Sequence, residues 1–485
     1  MRYIIFSLFL WVIFVNTAHA QSARILSLEE CIRMAQNQSP AAKMANMGIE
    51  AATFSYEAFT ASLKPQLNFS ADLPGLRRSY VNIQQDDGSP KFVYQSQTYS
   101  DVSLNVNQVL PLTGGSVSVF SSLSNFSFLS DNGFTNWRSN PFGIRINQPL
   151  FQLNAARWNK TEQNMRFDLA KIDYYQELEN IAVDITRRYF SVLIAQQGIR
   201  RAQNNVINND TIFNLSQGRF SVGKIAENEL LESELNLMNA RADLSQAQMD
   251  YERSLEELIT TLGLEKNAPL EISIPEELPE ITVDPDEAVA QAMTFSRQVK
   301  NNQLSQLLAE RNVRAATSGN RFSADITASF GLNQTGSSFN EAFTNPIDQE
   351  FFSVGLNVPI LQWGAGKAEI DAAETLQEQT RLRIEQQNRE YEVDIYYQVQ
   401  NLRQLKNQVE ISNKSDDVAS RRYEITRNRY LIGKITIQEL FIAQREKDQA
   451  QINRIANLQT FWIALAELRA ATLYDFVEMR PVIIH

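Results

Sequence analysis

One stretch of the chain resembles a nucleotide-binding loop in the spacing of its glycines and lysine. Residues 218–224 read Gly-Arg-Phe-Ser-Val-Gly-Lys, which matches the two glycines and the lysine of a loop that cradles phosphate. Such a loop also needs a hydroxyl after the lysine for magnesium and a strand before the first glycine. Ile225 follows the lysine, no strand pattern precedes it, and a later copy of the segment has Asn428 at the first glycine. The spacing therefore does not indicate a nucleotide site.

The residue types that usually carry catalysis or bind metal are nearly missing. Cys31 is the only cysteine, and the two histidines are His19 and the final residue, His485. Because histidine is the usual acid–base group and the commonest metal ligand, neither chemistry has its ordinary components. Hydrolysis by carboxylates alone is the remaining enzymatic reading, but the sequence marks no fixed acidic pair. We predict that the chain is not an enzyme and needs no metal or cofactor.

The first twenty residues predict a secretory signal peptide. Arg2 supplies the positive start, an apolar run covers residues 4–15, and Ala18-His19-Ala20 matches a cleavage site. An uncleaved anchor is the alternative, although the run is short for a membrane span. No later stretch has about twenty apolar residues, so a mature chain that crosses a membrane would need a closed β-barrel. Cleavage changes the formal charge from −11 to −12 (−11 − 1), and an acidic chain binds nucleic acid poorly.

Two motifs occur twice in the chain at one common spacing. Residues 147–151 (NQPLF) recur as 357–361 (NVPIL), and residues 219–225 (RFSVGKI) recur as 429–435 (RYLIGKI). Both pairs are 210 positions apart (359 − 149 and 433 − 223), with no gap between the two motifs. A repeated register of this kind indicates two tandem structural repeats.

Long helices follow the first motif in each repeat. Residues 154–217 contain no proline, and apolar residues recur there at every seventh position: Leu178, Ile185, Val192, Ile199, Val206 and Phe213. A stride of seven predicts coiled-coil packing between helices. Roughly sixty helical residues would span about 90 Å at 1.5 Å per residue, longer than an ordinary globular core needs. We expect each repeat to hold two such helices, joined near Gly223 or Gly433.

Segments between the helices predict β-strands with two unlike faces. Val102, Leu104 and Val106 alternate with serine and asparagine, which is the two-residue period of a strand and is typical of outer-membrane strands. We count four such segments in the first repeat (65–73, 98–110, 116–129 and 142–150) and two in the second (324–332 and 351–360). A soluble β-domain is the alternative reading. Six strands are too few for a conduit, because barrel diameter grows with strand number, so several chains would share one barrel.

These patterns divide the chain into nine parts. They are a signal peptide (1–20), first-repeat N-terminal helices (21–64), first-repeat strands (65–151), a first long helix pair (152–266), a polar linker (267–284), second-repeat helices (285–322), second-repeat strands (323–361), a second long helix pair (362–474) and a C-terminal tail (475–485).

The signal peptide, the two halves of like construction and the repeated motifs together resemble the outer-membrane efflux protein family of TolC type. The resemblance covers nearly the whole mature chain. It implies a mainly α fold with a β membrane segment, in which a trimeric transmembrane β-barrel continues into a long periplasmic α-helical coiled-coil barrel. The protein would then be an outer-membrane channel-tunnel of a Gram-negative bacterium. It would act as a passive exit duct in tripartite efflux or type I secretion.

The same resemblance implies partners and site residues. The partners would be two further copies in a homotrimer, outer-membrane lipid, a periplasmic membrane-fusion adaptor and an inner-membrane pump of the RND, ABC or a similar class. The tip that faces the adaptor would carry Gly223, Lys224, Ile225, Gly433, Lys434 and Ile435. The strand-to-helix junctions would carry Asn147, Pro149, Asn357 and Pro359.

Three residues would form the pore constriction and its gate. Glu229 and Glu439 stand six positions after each tip glycine, where the family has acids that favour cations and resist anions. Tyr430 matches a family tyrosine that holds the closed state by a hydrogen bond to the first-repeat acid, here Glu229. The chain departs from the family at Ile435, where a basic partner is usual, and Lys434 is the neighbouring substitute. From the residues alone, both glutamates are equally first-turn carboxylates that favour a helix dipole.

Two alternatives stay open at this point. Family members commonly contribute two strands per half, whereas the first half here has four. Either three chains close an eighteen-strand barrel, or the hairpin at Gly114-Gly115 decorates a twelve-strand one. A structural coiled-coil protein of the periplasm or outer membrane, without transport activity, is the alternative function. The sequence does not indicate the exported substrate.

Overall fold

The computed structural model describes residues 24–129, 133–266, 268–275 and 278–482. The predicted signal peptide and the end of the predicted C-terminal tail lie outside the described residues. No helix in the described ranges is both long and apolar enough to cross a membrane.

Each repeat opens with a short helix and a longer one. The first repeat has α1 (Leu28–Gln38) and α2 (Pro40–Ser62), and the second repeat has α5 (Pro285–Phe295) and α6 (Arg297–Gly319). The lengths of 11 and 23 residues are the same in both repeats. Ser27 and Glu30 form a capping box at the start of α1, with both reciprocal hydrogen bonds present.

Two helices of 67 residues dominate the molecule. They are α3 (Ala155–Ser221) and α7 (Ala365–Leu431), and each spans about 100 Å at 1.5 Å per residue. Each turns back into a shorter partner, α4 (Glu227–Thr261) or α8 (Ile437–Thr472). Ile185 and Val192 from the predicted seven-residue stripe are fully buried, so the stripe packs helix against helix as expected.

The strands that lie between the second helix and the long helix of each repeat form one antiparallel sheet of six. Its order is β2-β3-β4-β5-β7-β8, and the strands are β2 (Gln66–Gln84), β3 (Pro90–Val109), β4 (Ser116–Phe128), β5 (Thr135–Leu150), β7 (Ser323–Gly336) and β8 (Ile347–Asn357). The counts of four and two strands agree with those from the sequence. The β3–β4 hairpin, which turns at Gly114 with φ +81°, is hydrogen-bonded on both sides rather than attached to the outside.

The sheet has one apolar face and one polar face. Phe69, Leu104, Val119, Ile144, Phe330 and Phe352 are among the residues that the strand register places on the apolar face. The opposite face carries hydroxyl, amide and carboxylate groups that bond across strands, such as Ser70 with Ser103 at 2.7 Å and Ser124 with Asp101 at 2.6 Å. The outer strands β2 and β8 are exposed along nearly their whole length, and each has one edge unpaired within the described chain.

The predicted linker between the repeats is part of the folded core. Strand β6 (Leu270–Ile272) lies in it and pairs in parallel with β1 (Arg24–Leu26) at the start of the described chain. Leu270, Ile272 and Val283 are buried in the main apolar cluster beside the middle of α3 and α7. The prediction of a polar linker is therefore incomplete. Among its prolines and acids, the segment also contains a short strand whose alternate residues, Leu270 and Ile272, are apolar and buried. At the other end of the chain, the two-residue strands β9 (Tyr474–Asp475) and β10 (Arg480–Pro481) pair with each other.

Candidate functional site

Both long helices end on the same glycine turn. Gly223 and Gly433 have φ values of +69° and +74°, the left-handed region where a side chain is strained. In each turn the glycine N–H bonds the carbonyl three residues back, and the following lysine N–H bonds the carbonyl five back. This is the Schellman motif that closes a helix C-terminus and turns the chain. Glycine is therefore needed at both tips for backbone reasons.

The returning helices α4 and α8 begin differently. Thr436 caps α8, and Glu439 completes a capping box by accepting from the Thr436 N–H at 2.9 Å. At the start of α4 the corresponding residue is Ala226, which offers no side-chain cap, so Glu229 does not take part in a capping box. Glu439 is exposed and Glu229 is half-buried. The two predicted constriction acids thus occupy matching positions, but only Glu439 also has a structural role.

Tyr430 is buried between the two repeats. It belongs to an apolar cluster at the tip, formed by Ile212, Tyr423, Tyr430, Ile437, Leu440, Phe441 and Ala443. The hydrogen-bond partner of its hydroxyl in the described chain is the Ser216 hydroxyl on α3, with the oxygens 3.4 Å apart. The structure brings Tyr430 to the first repeat, as the resemblance implies, but to Ser216 rather than to Glu229.

Arg219 makes a second link between the tips, which the sequence reasoning did not single out. It lies in the last turn of α3, and its Nη2 donates to the carbonyl oxygens of Tyr430 and Leu431 at 3.2 Å each. The guanidinium carbon also lies 5.0 Å from the centre of the Tyr430 ring. Those carbonyls end α7, where the helix dipole is negative, so a cation is favoured there. A basic residue in the last helical turn was the available signal.

The outer surface of the tips is basic and apolar. Lys224 and Lys434 are exposed, whereas Ile225 and Ile435 are half-buried, and Ile435 packs against the apolar cluster at the tip. The most exposed apolar side chains of the turns are Val222 and Ile432, each 66% exposed, which occupy matching positions in the two repeats. These two residues were not predicted as part of the surface.

The predicted junction residues lie where the sheet meets the long helices. Asn147 and Pro149 lie within the last four residues of β5, and Asn357 ends β8 just before Pro359. The Asn147 side chain accepts from the Thr327 hydroxyl at 3.2 Å.

A half-buried acid lies between the repeats above the tips. Asp448 on α8 accepts from the Asn205 side chain on α3 at 2.8 Å. Burial raises the pKa of Asp448 above 3.8, against the opposing effects of that hydrogen bond and of the charges of Arg201 and Lys447. In the described part of the chain, no group of three or more His, Cys, Asp or Glu residues could hold a metal ion.

Solved structures of the same fold include outer-membrane channels. The chain is similar to the Campylobacter jejuni CmeC outer membrane channel (14% identity, TM-score 0.66, covering 94% of this chain and 87% of that one). It is also similar to the outer membrane protein VceC from Vibrio cholerae (13% identity, TM-score 0.64, covering 93% of this chain and 95% of that one). A further similar structure is the open state of the Neisseria gonorrhoeae MtrE outer membrane channel (16% identity, TM-score 0.60, covering 92% of this chain and 88% of that one). No curated protein matches the sequence.

A match to a family model identifies the family of the chain. The outer membrane efflux protein model matches residues 31–264 and 288–472, one match to each repeat. Its members are channels of the Gram-negative outer membrane rather than enzymes. The chain accordingly belongs to the outer membrane efflux protein family of TolC-like channels.

Proposed function

We propose that three copies of this chain form a passive exit duct that crosses the outer membrane and continues through the periplasm. The observation that carries the proposal is the continuity of a two-faced sheet with helices about 100 Å long. An apolar face suits lipid and a polar face suits a water-filled lumen, which is the alternation that a membrane strand needs. A coiled-coil protein without transport activity has no use for that alternation.

We further propose that the barrel has eighteen strands, six from each of three chains. Edge strands β2 and β8 each offer a row of unpaired backbone groups, which lipid cannot satisfy, so closure must pair β2 of one copy with β8 of the next. The position of the β3–β4 hairpin inside the sheet argues against a twelve-strand barrel with a decoration.

The tips are the proposed gate and docking surface. Three copies would bring Glu229 and Glu439 around one opening, where carboxylates favour cations. Lys224 and Lys434, with the exposed Val222 and Ile432, give the tip a basic and apolar surface on which a periplasmic adaptor would dock. The adaptor would connect the duct to an inner-membrane pump of an efflux or type I secretion system, and that pump would select the cargo.

Membrane insertion and conductance test the proposal together. The purified protein is expected to run as a trimer on unheated gels and to give discrete, cation-preferring conductance steps in planar lipid bilayers. A preparation that stays monomeric in detergent and leaves the bilayer resistance unchanged would rule out the duct.

Cross-linking tests the barrel size. Cysteines at Asn68 on β2 and Ser353 on β8, both on the polar face, are expected to link neighbouring copies into covalent trimers. Cysteines at Ser353 and Ser118 on β4 provide the control, because β4 would border β8 of the next copy only if β2 and β3 lay outside the ring. Linking of the control pair alone would contradict the eighteen-strand closure.

A further inference from the structure

The contact between the two tips of one chain has a direction. Arg219 of the first repeat donates to two carbonyl oxygens at the end of α7 in the second repeat. The first repeat is therefore the donor side of this contact and the second repeat is the acceptor side. The two repeats correspond at an offset of 210 positions (429 − 219). The second repeat therefore carries a matching donor, Arg429, and the first repeat carries a matching acceptor, the C-terminus of α3.

Within the described residues of one chain the second donor has no partner, and no side chain donates to the carbonyl oxygens of Phe220 and Ser221. Arg429 is exposed, and among the described residues its side chain has no hydrogen-bond or ion-pair partner. Phe220, which matches Tyr430, is 40% exposed, whereas Tyr430 is only 4% exposed. The parts of a second contact are thus present, but they do not contact each other within the described residues of one chain.

The apolar residues around the contact show the same asymmetry. Phe441 beside Tyr430 is 7% exposed, but its first-repeat counterpart Leu231 is 56% exposed. On the donor side, Leu215 packs against the apolar cluster at the tip, whereas its second-repeat counterpart Ile425 is 62% exposed. Leu231 and Ile425 are therefore the two halves of an apolar contact that a single chain leaves open to water.

A ring of chains brings these halves together. If three chains close a ring, the second repeat of each chain must lie beside the first repeat of the next copy. Donor-to-acceptor contacts of this head-to-tail kind repeat around a closed ring. Within a chain, the first repeat packs against the second repeat in one particular arrangement. Because the two repeats are alike, the second repeat is expected to pack against the first repeat of the neighbouring copy in the same arrangement.

We propose that Arg429 caps the C-terminus of α3 in the next copy of the chain. Its guanidinium would donate to the carbonyl oxygens of Phe220 and Ser221 of the next copy and lie over that Phe220 ring. The proposal rests on the trimeric duct proposed above and adds the residues that join neighbouring tips. Six guanidinium contacts would then close the tip, three within chains and three between them.

The two kinds of contact differ in one bond. Tyr430 has a hydroxyl that reaches Ser216, whereas Phe220 has none to offer Thr426, the counterpart of Ser216. The contact between chains would therefore lack a hydrogen bond that the contact within a chain has.

Cross-linking of mixed trimers tests this contact directly. One full-length chain carries Arg429→Cys, a second, differently tagged full-length chain carries Ser221→Cys, and the two are produced together in the outer membrane. A short bismaleimide is expected to join the two tagged chains into a product of twice the chain mass on denaturing gels. The native Cys31 is buried, so each variant produced alone measures its background.

A displaced cysteine is the matched control. Thr211→Cys lies ten residues before Ser221 on the same helix and is exposed, which places it about 15 Å away. It is expected to give no product with Arg429→Cys. Trimers on unheated gels that yield no more product with Ser221→Cys than with Thr211→Cys would overturn the Arg429 contact and leave the duct standing. Absence of trimers from unheated gels would overturn the duct, and the contact with it.

Discussion

Removal of the Arg219 guanidinium is expected to loosen the closed tip. In Arg219→Gln the two hydrogen bonds to the Tyr430 and Leu431 carbonyls and the contact with the Tyr430 ring are lost. Hydrogen bonds that involve a charged group contribute about 1.5–3 kcal/mol. Because Arg219 is only half-buried, we take about 1.5 kcal/mol, the lower limit of that range, for its two hydrogen bonds together. An exposed cation–π contact adds about 0.5–1 kcal/mol. The sum is about 2 kcal/mol.

That free energy sets the size of the functional effect. Since 1.4 kcal/mol is tenfold in an equilibrium constant, about 2 kcal/mol shifts the balance between closed and open tips roughly 30-fold toward the open state. Single-channel recording in planar bilayers measures this shift as a higher open probability. Arg219→Lys keeps a charge at the α7 C-terminus but loses the planar fork, so its open probability is expected to lie between the other two.

The outcome separates the guanidinium contact from a general loosening of the tip. Tyr430→Phe keeps the ring beneath Arg219 and removes only the hydroxyl contact with Ser216, so its effect is expected to be smaller than that of Arg219→Gln. If Arg219→Gln and the wild-type protein showed the same open probability in the same membranes, the reasoning from the α7 carbonyls would be refuted.

Three further predictions follow from the tips and the helix interior. Gly223→Ala forces a side chain into positive φ and should lower the free energy of unfolding by about 1–2 kcal/mol. Gly218→Ala, inside α3 with open space around it, should instead raise the free energy of unfolding by about 0.5–1 kcal/mol. Thermal melts in which Gly223→Ala is the more stable variant would contradict this. Glu439→Gln keeps a side chain able to complete the capping box, so it should reduce cation preference in bilayers without lowering the melting temperature. Glu439→Ala should lower both the cation preference and the melting temperature, with a loss of about 1 kcal/mol of stability. Asp448→Asn should raise the melting temperature at neutral pH. Burial raises the folded-state pKa of Asp448 above 3.8, so the wild-type protein loses stability as the pH rises from 3.8 through the folded-state pKa. The stability advantage of the variant should therefore shrink as the pH falls toward 3.8. A gain in melting temperature that is the same at every pH would argue against a charged Asp448 as its cause.

The sequence alone reached the features that depend on local backbone chemistry and on repetition. Proline-free stretches with an apolar stride of seven predicted helices that the structure extends to 67 residues. Glycine at position 223 and again at 433 predicted the turns, because both positions need positive φ whatever surrounds them. Alternation of valine or leucine with serine or asparagine predicted strands with two unlike faces, since successive side chains in a strand point to opposite sides.

Contacts between distant segments were decided only by the tertiary structure. The Tyr430 hydroxyl meets Ser216, 214 positions away, and no spacing in the chain distinguishes that serine from Glu229 as a partner. Residues 270–272 read as linker because their strand partner, residues 24–26, lies almost 250 positions earlier. The place of the β3–β4 hairpin in the sheet likewise depends on hydrogen bonds to β2 and β5. Local patterns specify which elements form, whereas the pairing of elements is a property of the packed molecule, because it depends on which surfaces the fold brings within contact distance.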